Sequence, residues 1–433
     1  MFFRVKTPLA IAIATSIFST TAMAKSEILQ TNKGTISDIG DWMQIVIPAS
    51  AMAGSLAIGD TEGAWQLVQV LGTSATITHS LKFVYAKARP DGPKRNSFPS
   101  GHTSAAFAGA AYLHHRYGDA WAIPAYGAAA FVGFSRVYAN RHFMDDVMAG
   151  GAISVLTSLY FTDPYKQSDL MLAPSMTKDG FALNADYVYG RGKKKRAGYS
   201  NVRDTKEYNN SYSLFIGSSF TNKNVLDDGY HPSFDLYDFE RENVLNTYAA
   251  SQFTFDMGDN QYMNLSFTPY ESRTITNHNQ DVDFSGHHYQ AGQETVTAYS
   301  VWNSTADYMF ELLPDSNWKA DIGLGVSLSW VTMRMDYTEG NNLSEESHFS
   351  FAPAMATEFG YQFNDNLSAN MGYRYSASSS VSSQDLWSSI DYKFSNRWSA
   401  SIVAGRFDQQ VESKHFNNDL SLYYTGFNVK YAF

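Results

Sequence analysis

The chain has 433 residues, a formal net charge of −10 at neutral pH and no cysteine. That length points to two or three domains, and the acidic balance excludes a general nucleic-acid binder. The absence of thiols excludes disulfides, thiolate metal sites and a cysteine nucleophile.

The first segment reads as an export signal. Arg4 and Lys6 precede the apolar run Pro8–Phe18, and Ala22-Met23-Ala24 has the small-x-small form of a cleavage site. The expectation is a secretory signal peptide over 1–24, removed after Ala24; the apolar run is too short for a comfortable membrane anchor. Residues 25–40 are polar and read as an extended leader. From Asp41 to Phe161 apolar residues recur at three and four, which predicts helices at 40–58, 61–88, 101–117, 119–137 and 143–161. Most of their apolar runs fall short of the ~20 residues that span a bilayer, so a helical bundle in water is expected.

After Pro164 the period changes to two. In Asn317–Trp330 the even positions are Trp318, Ala320, Ile322, Leu324, Val326, Leu328 and Trp330, while the odd ones are polar or Gly. The same alternation occurs over Asn366–Tyr375, Trp398–Ala404, Met263–Phe267, Tyr212–Phe220 and Phe181–Tyr189. Trp318 and Trp330 are separated by roughly 30 Å along a membrane normal for a tilted strand, close to the height between aromatic girdles. Short turns near Asp259, Asp315, Asn364 and Asn396 alternate with longer polar segments, as periplasmic turns alternate with external loops. The last strand, Gly426–Phe433, places Phe427, Val429, Tyr431 and Phe433 on one face. It resembles the terminal signal of bacterial outer-membrane proteins, which implies the barrel assembly machinery as a partner. Eleven segments read as strands. An even number requires another, for which Leu170–Met176 is the candidate, so twelve strands are expected, with ten as the alternative. The expected division is 1–24, a helical domain over 25–165 and a barrel over 166–433, with the helical domain in the periplasm.

The residues that carry chemistry lie between Lys82 and Asp146. Lys82-x6-Arg89-Pro90 sets two cations two helical turns apart, so they are expected on one face, with Pro90 ending the helix and aiming Arg89 at a loop. Pro99-Ser100-Gly101-His102 puts a capping Ser and a Gly at a helix start, where free N–H groups favour anions. Ser135-Arg136-x5-His142-x3-Asp146 closes one helix with a cation and opens the next with an imidazole. Asp145 and Asp146 follow at i+3 and i+4, and either carboxylate could reach His142. Taken singly, each has a plain alternative as a solvated cation pair, a cap, or an acidic first turn.

Together the three motifs resemble the signature of the type 2 phosphatidic acid phosphatase family, which includes secreted acid phosphatases and vanadium haloperoxidases. The resemblance covers roughly residues 40–160. It implies an all-α phosphatase bundle and says nothing of the barrel; with the alternating strands that follow, the expected fold is a multidomain α plus β protein, the bundle followed by an antiparallel transmembrane β-barrel. It implies that His142 is the nucleophile forming a phosphohistidine, that Asp146 orients it, and that His102 protonates the leaving oxygen and then activates water. It further implies that Lys82, Arg89, Ser100, the Gly101 amide and Arg136 hold the phosphoryl oxygens, with no metal or other cofactor. The expected substrates are phosphatidic acid, phosphatidylglycerol phosphate, undecaprenyl diphosphate, lipid A phosphates or a small phosphoester, met beside outer-membrane lipid. The alternative is a porin or transport barrel with a non-catalytic helical domain. Lys94 and Arg95 read as exposed loop cations, and His79, His114, His115, His287 and His288 as structural residues.

Overall fold

A computed structural model describes residues 33–91, 94–165, 170–177, 180–187, 210–227, 234–235, 246–277, 281–314, 316–337, 344–413 and 417–433. The expected signal peptide lies outside the described residues. Five helices come first: α1 (Lys33–Ala57), α2 (Thr61–Tyr85), α3 (Gly101–Tyr117), α4 (Asp119–Tyr138) and α5 (Met144–Phe161). The strands follow as β1 (Leu170–Thr177), β2 (Gly180–Tyr187), β3 (Ser211–Asp227), β4 (Phe234–Asp235), β5 (Asn246–Gly258), β6 (Gln261–Asn277), β7 (Val282–Phe284), β8 (His287–Tyr289) and β9 (Glu294–Glu311). They continue through β10 (Trp318–Tyr337), β11 (Ser344–Gln362), β12 (Leu367–Ala377), β13 (Val381–Lys393), β14 (Trp398–Glu412) and β15 (Asn417–Ala432).

Two sequence expectations for the helices are corrected. The leader is not extended to residue 40, because α1 already begins at Lys33 and buries Ser37 and Gly40 on the same face as Ile47 and Ala51. The second helix stops at Tyr85 rather than 88. Ala86 adopts a left-handed φ of 42° while its N–H still bonds the Lys82 carbonyl at 3.1 Å, a C-terminal turn that ends a helix whatever lies at Pro90. Lys82 and Arg89 therefore do not share a helix face. No described helix is long and apolar enough to cross a membrane.

The described chain forms two compact units that are not contiguous in sequence. One contains the chain up to Leu81, Pro99–Arg141 and the chain from Gly150 through the β1–β2 hairpin; the other contains Lys82–Phe98, His142–Ala149 and the strands from Tyr208 onward. In the first unit, Ala51, Leu67 and Tyr112 are fully buried. Asp60 caps α2 through the Gly63 N–H at 2.9 Å, and the Arg116 guanidinium, buried on α3, clamps the same carboxylate at 2.5 and 2.8 Å. Charge-assisted, bidentate bonds of this kind fix the relation of two helices more firmly than apolar contact alone.

In the second unit ten strands close into an antiparallel barrel, in the order β3-β5-β6-β9-β10-β11-β12-β13-β14-β15, with β15 paired back onto β3. The count is ten rather than the twelve expected, since β1 and β2 alternate like barrel strands but pair only with each other. At the closing seam Gly217 faces Gly426, and a side chain on Gly426 would meet the Gly217 Cα at 2.4 Å. The absence of Cβ atoms lets the two backbones approach there.

The outward face carries an apolar band that includes Ile322, Leu324, Phe351, Met355, Ile390, Ile402 and Phe427, all exposed. Trp318–Tyr361 and Trp398–Tyr431 mark its short-turn end, and Trp330–Phe349 its other end. Apolar outside, closed and edgeless, this is an outer-membrane-type transmembrane barrel. In the half near the short turns the interior carries ion pairs, Arg374 with Asp307 at 2.9 Å and Lys319 with Glu358. The other half is filled by Tyr248, Tyr270, Tyr299, Met333, Met335 and Tyr424, with Phe284 and Tyr289 of the β7–β8 hairpin packed among them. Tyr289 Oη donates to the Met335 carbonyl at 2.9 Å.

Candidate active site

The motif residues fall into the two units. His142, Asp146, Lys82 and Arg89 belong to the unit that contains the barrel, and Ser100, Gly101, His102 and Arg136 to the other.

In the barrel-containing unit the His142 ring is buried, with Nδ1 3.3 Å from Asp146 Oδ2. That oxygen also accepts the Phe143 N–H at 3.0 Å and the Ser97 hydroxyl. The other oxygen, Oδ1, faces the Lys87 ammonium at 3.2 Å. A carboxylate held from three sides leaves His142 one favoured tautomer, protonated on Nδ1, with Nε2 on the opposite side of the ring. The i, i+4 spacing places the two residues in reach, and the tight bend at Asn140 (φ 55°) turns the chain from α4 toward them.

Lys87 was not singled out by sequence. It is buried, lies 2.6 and 2.7 Å from the two oxygens of Asp145, and sits 4.3 Å above the Phe143 ring. Two neighbouring carboxylates thus share one cation. Burial raises the Asp145 carboxyl above its ordinary range, against Lys87 and with help from Asp146. For Asp146 burial acts in the same direction, but Lys87, His142 and Ser97 outweigh it and hold the carboxyl below its ordinary range. Burial pushes the His142 imidazole down, opposed by Asp146 and aided by Lys82 and Arg89.

The other two cations of this unit are arranged by one loop. Lys82 Nζ donates to the Asn96 and Ser97 carbonyls at 2.6 and 3.1 Å, and Arg89 Nε donates to Asn96 Oδ1 at 2.7 Å. Burial lowers the Lys82 ammonium to about 8, an effect opposed by Asp146 and reinforced by Arg89. Barrel strands complete the surroundings. Thr247 Oγ1 donates to Asp145 Oδ2 at 2.5 Å, and Glu271 Oε2 accepts the Met144 N–H at 2.5 Å while its Oε1 accepts Trp302 Nε1 at 2.8 Å.

In the other unit Ser100 is the N-cap of α3, its hydroxyl accepting from Thr103 N at 3.4 Å and Thr103 Oγ1 at 3.0 Å. Gly150 is required beside it, since a Cβ there would meet the Ser100 carbonyl oxygen at 2.5 Å. His102 Nε2 lies 3.0 Å from Asp41 Oδ1, and Arg136 Nη1 binds the same oxygen at 2.5 Å. Arg136 Nη2 also donates to the Ser37 carbonyl. Asp41, which links the imidazole to the guanidinium, belongs to no motif. His114 is buried and His115 half-buried, with Tyr126 Oη 3.3 Å and Ser158 Oγ 2.8 Å from their Nδ1 atoms. Among the described residues no cluster of three His, Asp or Glu side chains is placed to hold a metal ion.

Comparison with known proteins places this arrangement. Residues 63–167 match the PAP2 superfamily. The chain is 32% identical over 168 residues to the lipid A 4'-phosphatase of Helicobacter pylori, a stretch covering 36% of this chain and 83% of that protein. The chain belongs to the PAP2 superfamily. It is also 39% identical over 94 residues to the lipid A 1-phosphatase of Porphyromonas gingivalis, but spans 21% of that protein's length. Among solved structures, LpxE of Aquifex aeolicus aligns over 32% of this chain and 87% of its own, with 23% identity and a TM-score of 0.27. The outer-membrane protease OmpT of Escherichia coli aligns over 53% of this chain and 100% of its own, with 9% identity and a TM-score of 0.33.

Proposed function

We propose that this PAP2 protein is a lipid phosphatase anchored in the outer membrane by its barrel, acting through a phosphohistidine on His142. The observation that carries the reading is the clamp on His142: Nδ1 faces Asp146 Oδ2, itself fixed by Ser97, Phe143 N–H and Lys87. An imidazole held in that tautomer attacks through Nε2. The N–P bond forms as the P–O bond to the lipid breaks, and His102 gives the leaving oxygen its proton. Water activated by His102 then attacks phosphorus, the N–P bond breaks, and orthophosphate leaves. Lys82, Arg89, Arg136, Ser100 and the Gly101 amide hold the phosphoryl oxygens, as the family signature implies, and such fixed donors stabilise a phosphoryl transition state. The two lipid A phosphatase relatives favour a lipid phosphate over a soluble one. Against the porin alternative, the packed aromatic half of the barrel interior leaves a poor path for a hydrated solute.

Purified protein in detergent should release phosphate from one or more of lipid A phosphate, phosphatidic acid, phosphatidylglycerol phosphate and undecaprenyl diphosphate. Activity should survive EDTA and be inhibited by vanadate. Quenched turnover should trap an acid-labile, base-stable phosphoprotein. No release from any member of the panel rejects the reading.

A pH dependence follows from Lys82. Its ammonium, lowered to about 8, is charged below that value and neutral above it. KM for the lipid phosphate should therefore rise as the pH passes about 8. His142, pushed down by burial, stays neutral and nucleophilic further into the acid range than a free imidazole. A steady-state profile from pH 5 to 9.5 that shows KM flat across pH 8 removes Lys82 from phosphate binding.

A further inference from the structure

We infer that the His142 segment is presented at the outer, long-loop end of the barrel, and that its substrate is a phosphate carried by a lipid of the outer leaflet. The inference rests on the phosphatase reading for its substrate, and on the barrel alone for its location.

The location follows from strand register. Among the described residues, Lys82–Phe98 and His142–Ala149 interact with the barrel wall through several side chains. Tyr85 hydrogen-bonds Ser218, Asp91 interacts with Arg273, Met144 N–H binds Glu271, and Asp145 binds Thr247. All four strand residues point outward. Ser218 is paired with Thr247, two residues beyond the pairing of Ile216 with the exposed Phe427. Glu271 is opposite Ser300, and Ser300 is opposite Thr332, on the same face as Trp330. Arg273 is opposite Ala298, and Ala298 is opposite Arg334. The catalytic segment thus docks on the outside wall, where substrate would lie in the plane of the lipid.

Height along the wall is set by the same register. The β5–β6 turn at Gly258–Gln261 lies at the short-turn end, which faces the periplasm in barrels of this type. From Gln261 to Glu271, at ~3.3 Å per residue and a tilt near 40°, the rise is roughly 25 Å, the full height of an apolar band. Thr247 lies as far up β5, and Arg273 lies further along β6 than Glu271. The girdle agrees. The pairing partner of Ser300 is Thr332, two residues past Trp330, the aromatic at the far end of the band. Outward-facing polar residues such as Glu271 and Thr247 are costly in the hydrocarbon. They are used here to bind the segment that carries His142 and Asp146. Lipid phosphates lie at this level, at the boundary between headgroup and acyl chain.

The test uses the absence of cysteine in the chain. Lys94→Cys, exposed in the loop between Arg89 and Asn96, reports the catalytic end, and Asp365→Cys, in the β11–β12 turn, reports the short-turn end. Intact cells are treated with a polyethylene glycol maleimide too large to pass the outer membrane. Lys94→Cys should be modified in intact cells, and Asp365→Cys only after permeabilisation. The reverse pattern, or a Lys94→Cys thiol that stays unmodified in both states, overturns the location. Lipids are then extracted from cells making the wild type or His142→Ala. Phosphate should be lost from outer-leaflet glycolipid in the wild type alone, and loss confined to inner-membrane lipids overturns the substrate. Thiol labelling needs no turnover, so failure of the phosphatase reading would leave its outcome standing.

Discussion

His142→Ala is expected to lower phosphate release from the preferred lipid by about 10⁴-fold or more, the scale at which removal of a nucleophile acting in a unit is felt. The loss should fall on kcat, since Lys82 and Arg89 remain to bind the phosphoryl group. No phosphoprotein should be trapped. The imidazole is buried, so the variant must be shown to fold, and the heat-modifiable mobility of the closed barrel serves for this. Asp146→Asn should retain more activity than His142→Ala but far less than wild type. An amide at 146 still accepts from Phe143 N–H, yet it no longer fixes the His142 tautomer or balances Lys87. Residual activity in His142→Ala within tenfold of wild type, with the barrel folded, would remove His142 from the chemistry.

Lys87→Met is expected to have the second large effect, on stability. Its ammonium lies within 2.7 Å of both Asp145 oxygens and 3.2 Å from Asp146, and all three side chains are buried. Deleting the cation leaves two buried carboxylates facing each other without a counter-charge, a change that typically costs about 3–5 kcal/mol. The sign of the pH response follows. Without Lys87 the two carboxyls have folded-state pKa values above their unfolded ones, so the folded state takes up protons as pH falls. The deficit relative to wild type should be largest at neutral pH and shrink toward the ordinary carboxylate range. Lys87→Met/Asp145→Asn should recover part of the loss at pH 7. Thermal melting and proteolysis of the 87–98 segment at pH 5 and pH 7.5 measure both. A deficit that does not depend on pH would mean that Lys87 acts through packing alone.

Much of this arrangement was legible in the sequence. Period-two alternation located the strands because each must show lipid one face and the interior the other. The i, i+4 spacing put Asp146 within reach of His142. The limits of that reading are equally physical. β1 and β2 alternate as barrel strands do, and only their pairing with each other excludes them. Lys82 and Arg89 looked like one helix face because a left-handed Ala86 leaves no compositional mark. Lys87 was passed over because a lysine at a helix end is usually solvated, and only Asp145 and Asp146, arriving from α5, give it a reason to be buried. Thr247 and Glu271 interrupt the outward apolar face and look like noise until the groups they bind are known.

The discontinuous make-up of the barrel-containing unit bears on biosynthesis. Asp145 finds Thr247 across 102 residues of chain, and the Met144 N–H finds Glu271 across 127. Neither partner is in place until β5 and β6 have been built into the wall. Long-range contacts of this kind form late, because the connecting chain must be ordered first. The hydrolase therefore matures with its anchor. A chain whose barrel has not closed carries His142 and Asp146 and yet lacks the wall that holds the Lys87–Asp145 pair, so the proposed active centre would be completed only on barrel closure.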